Sequence, residues 1–196
     1  MKKALIIGAI LVILIIFVSS VFIIPYNNMV NMEENVTKQW SQVENVYQRR
    51  ADLIPNLVAT VKGYAEHEKS TLEGVVSARA KATSINISAD NLSEESIEKY
   101  QAAQGELSQA LGKLLMIQEN YPELKANENF RDLQAQLEGT ENRITVERMK
   151  FNEEAQKYNT YIRSFPKNMI AGMFGFDKKP YFKAKEGADE APTVQF

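Results

Sequence analysis

From Ala4 to Ile24 the chain reads ALIIGAILVILIIFVSSVFII, 21 residues without a single charge. Coiled as a helix it spans about 31 Å, close to the hydrocarbon thickness of a bilayer. From Trp40 the pattern changes: apolar residues recur in alternating steps of three and four, at Trp40, Val43, Tyr47, Ile54, Leu57, Val61, Tyr64 and Val75. That 3.5-residue repeat packs long helices side by side. Read as one helix from about Asn27 to Ala80, it reaches roughly 80 Å. Small and polar residues in TSINISADNLS, Thr83 to Ser93, break the pattern and predict the tip connection.

Ser93 before Glu94 and Glu95 predicts a capped start for a second helix through Ile97, Tyr100, Leu107, Leu111 and Leu114. Gln104 and Gln118 fill places on its seam. The helix ends at Asn120-Tyr121-Pro122, because the residue before a proline avoids helical angles. A third helix from about Asn127 to Arg163 carries Phe130, Leu133, Leu137, Ile144, Phe151, Ala155, Tyr158 and Ile162 on one stripe. Thr140 or Glu141, and Glu147 or Arg148, stand where apolar residues would complete it. Phe165-Pro166 closes the helix. No segment alternates with period two, so no sheet is expected.

The predicted fold is all-α: an N-terminal transmembrane helix, then an elongated antiparallel three- to four-helix bundle with coiled-coil-like seams. Its parts are an anchor at 1–25, the bundle at 26–165, and an aromatic segment with a mobile tail at 166–196. The apolar run continues to Pro25 without a small-residue cleavage site, which favours an uncleaved anchor. Lys2 and Lys3 precede the span and Glu33 and Glu34 follow it, so the positive-inside rule favours a cytoplasmic N-terminus and an exported body.

Composition narrows the chemistry. The chain has no cysteine, so disulfides, thiol catalysis and lipoprotein anchoring through cysteine are excluded. The formal charge is -2, and the body without Lys2 and Lys3 carries 21 basic against 25 acidic residues. That balance argues against nucleic acid as a partner. His67-Glu68 suggests a zinc-protease helix, but the chemistry needs two histidines four apart, and His67 is the single histidine. Neither a catalytic residue, a cofactor nor a metal-ligand set is expected.

The stretch RRADLIPNLVATVKGYAEHE, Arg49 to Glu68, therefore reads as structural. Arg50 occupies a seam position and calls for a carboxylate across the bundle, from Glu138, Glu141 or Glu147. Arg49 and Arg50 beside Asp52 predict a local ion pair. Pro55 removes an amide hydrogen and crowds the carbonyl of Ala51; because the stripe resumes in phase at Leu57, a kinked but continuing helix is expected.

Tyr26-Asn27, Trp40 and the Arg49–Glu68 stretch resemble the LemA family of bacterial membrane proteins. So do NYPELKANENF from Asn120, LEGTENRI from Leu137, YNTYIRSFP from Tyr158, AGMFGF from Ala171 and the ending Pro192 to Phe196. The chain departs from the family pattern at Met29 and Phe151, where Leu and Tyr are expected, so no phenol role transfers to position 151. The resemblance implies a single span in the bacterial inner or plasma membrane, a coiled helical body and a role in membrane remodelling or organelle formation. It implies no reaction.

The functional expectation is a non-enzymatic scaffold that contacts the bilayer, forms a homo-oligomer and engages a membrane protein partner. The alternatives are an adaptor of a membrane protease or envelope-stress system, and a membrane-bound hydrolase. Candidate structural and interaction residues are Arg49, Arg50, Asp52, Pro55, His67, Glu68, Arg148, Phe165, Pro166, Phe174 and Phe176. The segment Phe165–Phe182, rich in Met and aromatics with lysines around it, suits either a membrane interface or a fold back onto the bundle.

Overall fold

The structure, a computed structural model, describes residues 2–183; the expectations for a mobile tail after Ala184 and for the Pro192–Phe196 ending lie outside them. Helix α1 (Lys2–Val18) passes through a wider π-helical stretch (Ser19–Ile23) into α2 (Ile24–Lys62). From Leu5 to Lys62 this is one uninterrupted helix of 58 residues, whose most apolar window is nowhere buried by the rest of the chain. Its length and composition make it a candidate transmembrane helix.

The single long first helix expected to reach Ala80 does not form. The chain reverses between Gly63 and Glu68, and α3 (Lys69–Ser84) runs back along α2. Short backbone bonds wind the reversal: Ala65 donates to Val61 at 2.8 Å and Glu68 to Ala65 at 3.1 Å. The reason it was not legible is geometric. A hairpin reverses direction without disturbing apolar spacing, so Leu72 and Val75 fit the same seam whether the chain continues or turns back. Tyr64, expected on that seam, is exposed; buried Ala65 takes the place.

Residues 83–93 consequently lie beside the middle of α2 rather than at a tip. The Trp40 indole N–H donates to the Ile87 carbonyl at 3.1 Å, and Ile87 is buried. Helix α4 (Glu94–Met116) starts as expected at Ser93, whose hydroxyl accepts from the Ser96 amide at 3.1 Å while Ser96 accepts from the Ser93 amide at 2.9 Å. The short α5 (Pro122–Ala126) then leads to α6 (Glu128–Arg163), capped by Asn127 onto the Phe130 amide at 2.9 Å. A last helix, α7 (Lys167–Phe174), follows Pro166. No strand occurs among the described residues.

Helices α2, α3, α4 and α6 thus alternate in direction, with α2 and α6 the longest pair. Two apolar clusters fill the interior. One, on the anchor side, surrounds Trp40 with Met29, Tyr47, Tyr100, Phe151 and Tyr158. The other, at the far end, gathers Ile54, Leu57, Leu107, Leu114 and Phe130. Arg50, Gln104 and Thr140 are buried between them in sequence order along α2, α4 and α6.

Pro55 lies inside α2 without ending it. Its missing N–H would have bonded the Ala51 carbonyl, four residues back. Arg79 on α3 supplies the substitute: its Nε donates to the Ala51 oxygen at 2.7 Å. The proline on one helix and the arginine on the next therefore form one unit. Arg79→Met in the natural background is expected to cost about 1–3 kcal/mol, the cost of orphaning a buried acceptor. In a Pro55→Ala background, where the helix satisfies that carbonyl itself, the same change is expected to cost much less. A thermal-unfolding double-mutant cycle measures the difference; additive losses would refute the coupling.

Candidate functional site

The Arg50 guanidinium is the most heavily engaged polar group in the interior. It is 1% exposed. Its Nη1 donates to Glu141 Oε2 of α6 and to Ser108 Oγ of α4, each at 2.8 Å. Its Nη2 donates to both the backbone and the side-chain carbonyl oxygens of Gln104. Gln104 in turn donates to the Ala82 carbonyl of α3 at 3.4 Å. Its guanidinium carbon lies 5.2 Å from the Tyr47 ring centre. One side chain of α2 thereby links all the other long helices, at a single level of the bundle. Burial pushes the Tyr47 and Tyr100 phenols above their ordinary range, so both stay neutral beside it.

Of the three carboxylates expected to face Arg50, the structure selects Glu141. Glu147 sits two turns further along α6, where Gln39 donates to it at 2.6 Å and Lys150 at 2.9 Å. Those bonds, the lysine's first, hold its carboxyl below the usual value. The expected local pairing of Asp52 with the adjacent arginines is replaced by a bond from Gln48 at 2.7 Å. Successive residues on a helix point apart, which carries Arg50 inward while Arg49 and Asp52 face solvent.

His67 is exposed in the reversal, away from this node. Glu68 beside it accepts from the Tyr121 hydroxyl at 3.3 Å. Among the described residues no group of three or more His, Asp or Glu side chains is arranged to hold a metal ion.

A second constellation joins the aromatic segment to the bundle. After Gly175 the chain runs extended along α6. Asn159 donates to the Lys179 carbonyl and accepts from the Lys179 amide, both at 2.8 Å. Asn152 makes the same pair with Phe182, at 2.9 and 2.8 Å. The spacings match: seven residues of helix rise about 10.5 Å, and three extended residues cover about 10 Å. Phe182 then enters the Trp40 cluster, stacked on the indole at 6.0 Å and edge-on to Phe151 at 5.5 Å. Arg148 covers it, with its guanidinium 4.7 Å from the Phe182 ring and a 3.0 Å bond to the Lys183 carbonyl.

Asn152, Asn159, Arg79 and Phe182 were not singled out by sequence reasoning. The available signal was two asparagines seven apart on the buried side of α6. Asn152→Ala is expected to cost about 1–3 kcal/mol, because the Phe182 amide and carbonyl lose their partners together. Faster trypsin cleavage after Lys178 relative to the natural chain checks it. Unchanged cleavage would show that the asparagines do not hold the segment.

The segment's other candidates lie at the anchor end. Phe174 and Phe176 meet the Tyr26 ring edge-on at 5.0 and 5.5 Å. Lys167 stands 3.7 Å over the Tyr161 ring, and Lys179 pairs with Glu33 at 2.6 Å. Ile170 and Ala171 are buried, whereas Phe165 is exposed. The segment therefore both folds onto the bundle and keeps an apolar outer face.

The LemA family profile matches residues 39–196. The chain is 28% identical over 181 residues to magnetosome proteins MamQ 1 and MamQ 2 of Paramagnetospirillum magneticum, covering 84% of this chain and 66% of each relative, just under two thirds of their length. It is 27% identical over 193 residues to magnetosome protein MamQ of Magnetospirillum gryphiswaldense, covering 90% of this chain and 71% of that protein. Arg50, Glu141, Trp40, Asn152, Asn159 and Phe182 all fall within the span that the family profile matches, and the chain belongs to the LemA family.

Proposed function

We propose that this protein is a non-enzymatic, single-pass membrane scaffold that works as a homo-oligomer in membrane organisation. The observation that carries the reading is the unbroken helix Leu5–Lys62, which leads from the apolar span straight into the wall of the bundle. A continuous helix transmits the position of the bundle to the bilayer and back, which a flexible linker does not. The interior polar groups serve the same end, since Arg50 and Asn152 tie helices and chain segments to one another. Membership of the LemA family and relatives named as magnetosome proteins support a place at a membrane. Lys2 and Lys3 before the span support a cytoplasmic N-terminus and an exported body.

Crosslinking in native membranes, with mass measurement of the solubilised complex, tests the reading. The expected product is a ladder of this chain with itself. Monomer alone, across working concentrations, would overturn the assembly role. His67→Ala is expected to leave the cellular phenotype intact; its loss would favour a hydrolase instead.

A further inference from the structure

We infer that α7 lies in the surface layer of the same bilayer that α1 enters, with its outer face buried among lipid headgroups and upper acyl chains. The inference rests on reading α1 as a membrane anchor. Phe165 is 82% exposed, Met169 64% and Met173 70%, spaced four apart on and just before a helix of eight residues. The opposite face is committed to the bundle through Ile170 and Ala171. So dense an apolar patch on one short element marks a surface that something covers.

Its position identifies the cover. The uncharged run ends at Ile24, and Tyr26 follows two residues later, a rise of about 3 Å. Phe174 packs on Tyr26 at 5.0 Å. The helix runs on continuously from the span through Tyr26, so α7 is held near the level where the apolar helix leaves the hydrocarbon. Tyr26, Phe174 and Phe176 then form an aromatic group at the depth where such rings gather in membrane proteins. Lys167 and exposed Lys178 border the patch, as at the polar margin of an interfacial helix. With α7 docked, the bundle meets the bilayer at two places, the span and this face, and its tilt is set.

The chain lacks cysteine, so a single introduced thiol reports one site. Four full-length variants, Met169→Cys, Met173→Cys, Met116→Cys at the far end and Val12→Cys in α1, are labelled with an environment-sensitive fluorophore in phosphatidylcholine–phosphatidylglycerol bilayers. Positions 169 and 173 are expected to lose quenching by aqueous cobalt and to gain quenching by lipids carrying a nitroxide near the headgroup. Position 116 is expected to respond to cobalt alone, and position 12 to deep nitroxides. Cobalt quenching at 173 equal to that at 116, with position 12 deep, would overturn the inference and leave the anchor intact. Cobalt quenching at position 12 as well would overturn both. Shielding of 169 and 173 without any lipid quenching would mean that protein, such as a second copy, covers the face, and would also overturn it.

Discussion

Trp40→Ala is expected to destabilise the bundle by about 3–5 kcal/mol, the usual cost of removing a large aromatic side chain from a packed core. For a chain of this length that corresponds to a fall in Tm on the order of 10 °C. Trp40 is wholly buried among Tyr100, Phe151 and Phe182, on three different parts of the chain, at ring distances of 5.6, 5.7 and 6.0 Å. Truncation leaves a void that long, mutually braced helices cannot close, so relaxation recovers little. Because it is the chain's one tryptophan, the measurement is a helical-signal melt rather than intrinsic fluorescence. Trp40→Phe separates the contributions: it keeps most of the ring volume but drops the bond to Ile87, an expected loss of about 1 kcal/mol plus a smaller cavity. The alanine variant should also free Phe182, so proteolysis around Lys179 is expected to accelerate below the main transition. An unshifted melt for Trp40→Ala would refute the central place given to this cluster.

Glu141→Ala is expected to cost about 3 kcal/mol, and the asymmetry of the pair is the reason. Glu141 has a side chain that is 48% exposed, whereas that of Arg50 is 2% exposed. Removing the glutamate leaves a buried guanidinium without a counter-charge, held only by Ser108 and Gln104. Breaking a buried pair from that side typically costs 3–5 kcal/mol, and the remaining bonds place this case at the low end. Removing the arginine is different, because Glu141 can turn to water. Arg50→Met is therefore expected to melt at a higher temperature than Glu141→Ala, and Arg50→Met/Glu141→Leu to regain most of the stability. What the double variant should lose is uniqueness of helix register, visible as broadened melting and altered crosslinked products. If both melting and assembly were unchanged in Arg50→Met, the register role would be wrong.

The legibility of these features differed by kind. The cap at Ser93, the ends near Pro122 and Phe165 and the extent of α6 follow from local chemistry, and local chemistry is written in neighbouring residues. Arg50 could be marked as needing an acid because an arginine on an apolar seam is conspicuous; that the acid is Glu141 depends on how α6 slides against α2. Arg79 could not be found at all by this route. Its purpose arises only from the carbonyl that Pro55 frees, 28 residues away along the chain and brought close by a turn that the periodicity concealed. The Asn152 and Asn159 pairs are similar, since their partners are backbone groups, which any residue carries.

By itself the amino-acid sequence determined an apolar helix long enough to cross a bilayer, an all-helical body, and most of the residues that make its seams. These are matters of composition and period, and both are local. The tertiary structure alone decided where the chain doubles back, which carboxylate meets Arg50, and that Phe182 returns to Trp40. Helical periodicity states which face of each segment is buried but not against what, because opposite chain directions bury the same stripe equally well. Only the simultaneous packing of all the helices, with each buried polar group seeking a partner, selects one direction and one register.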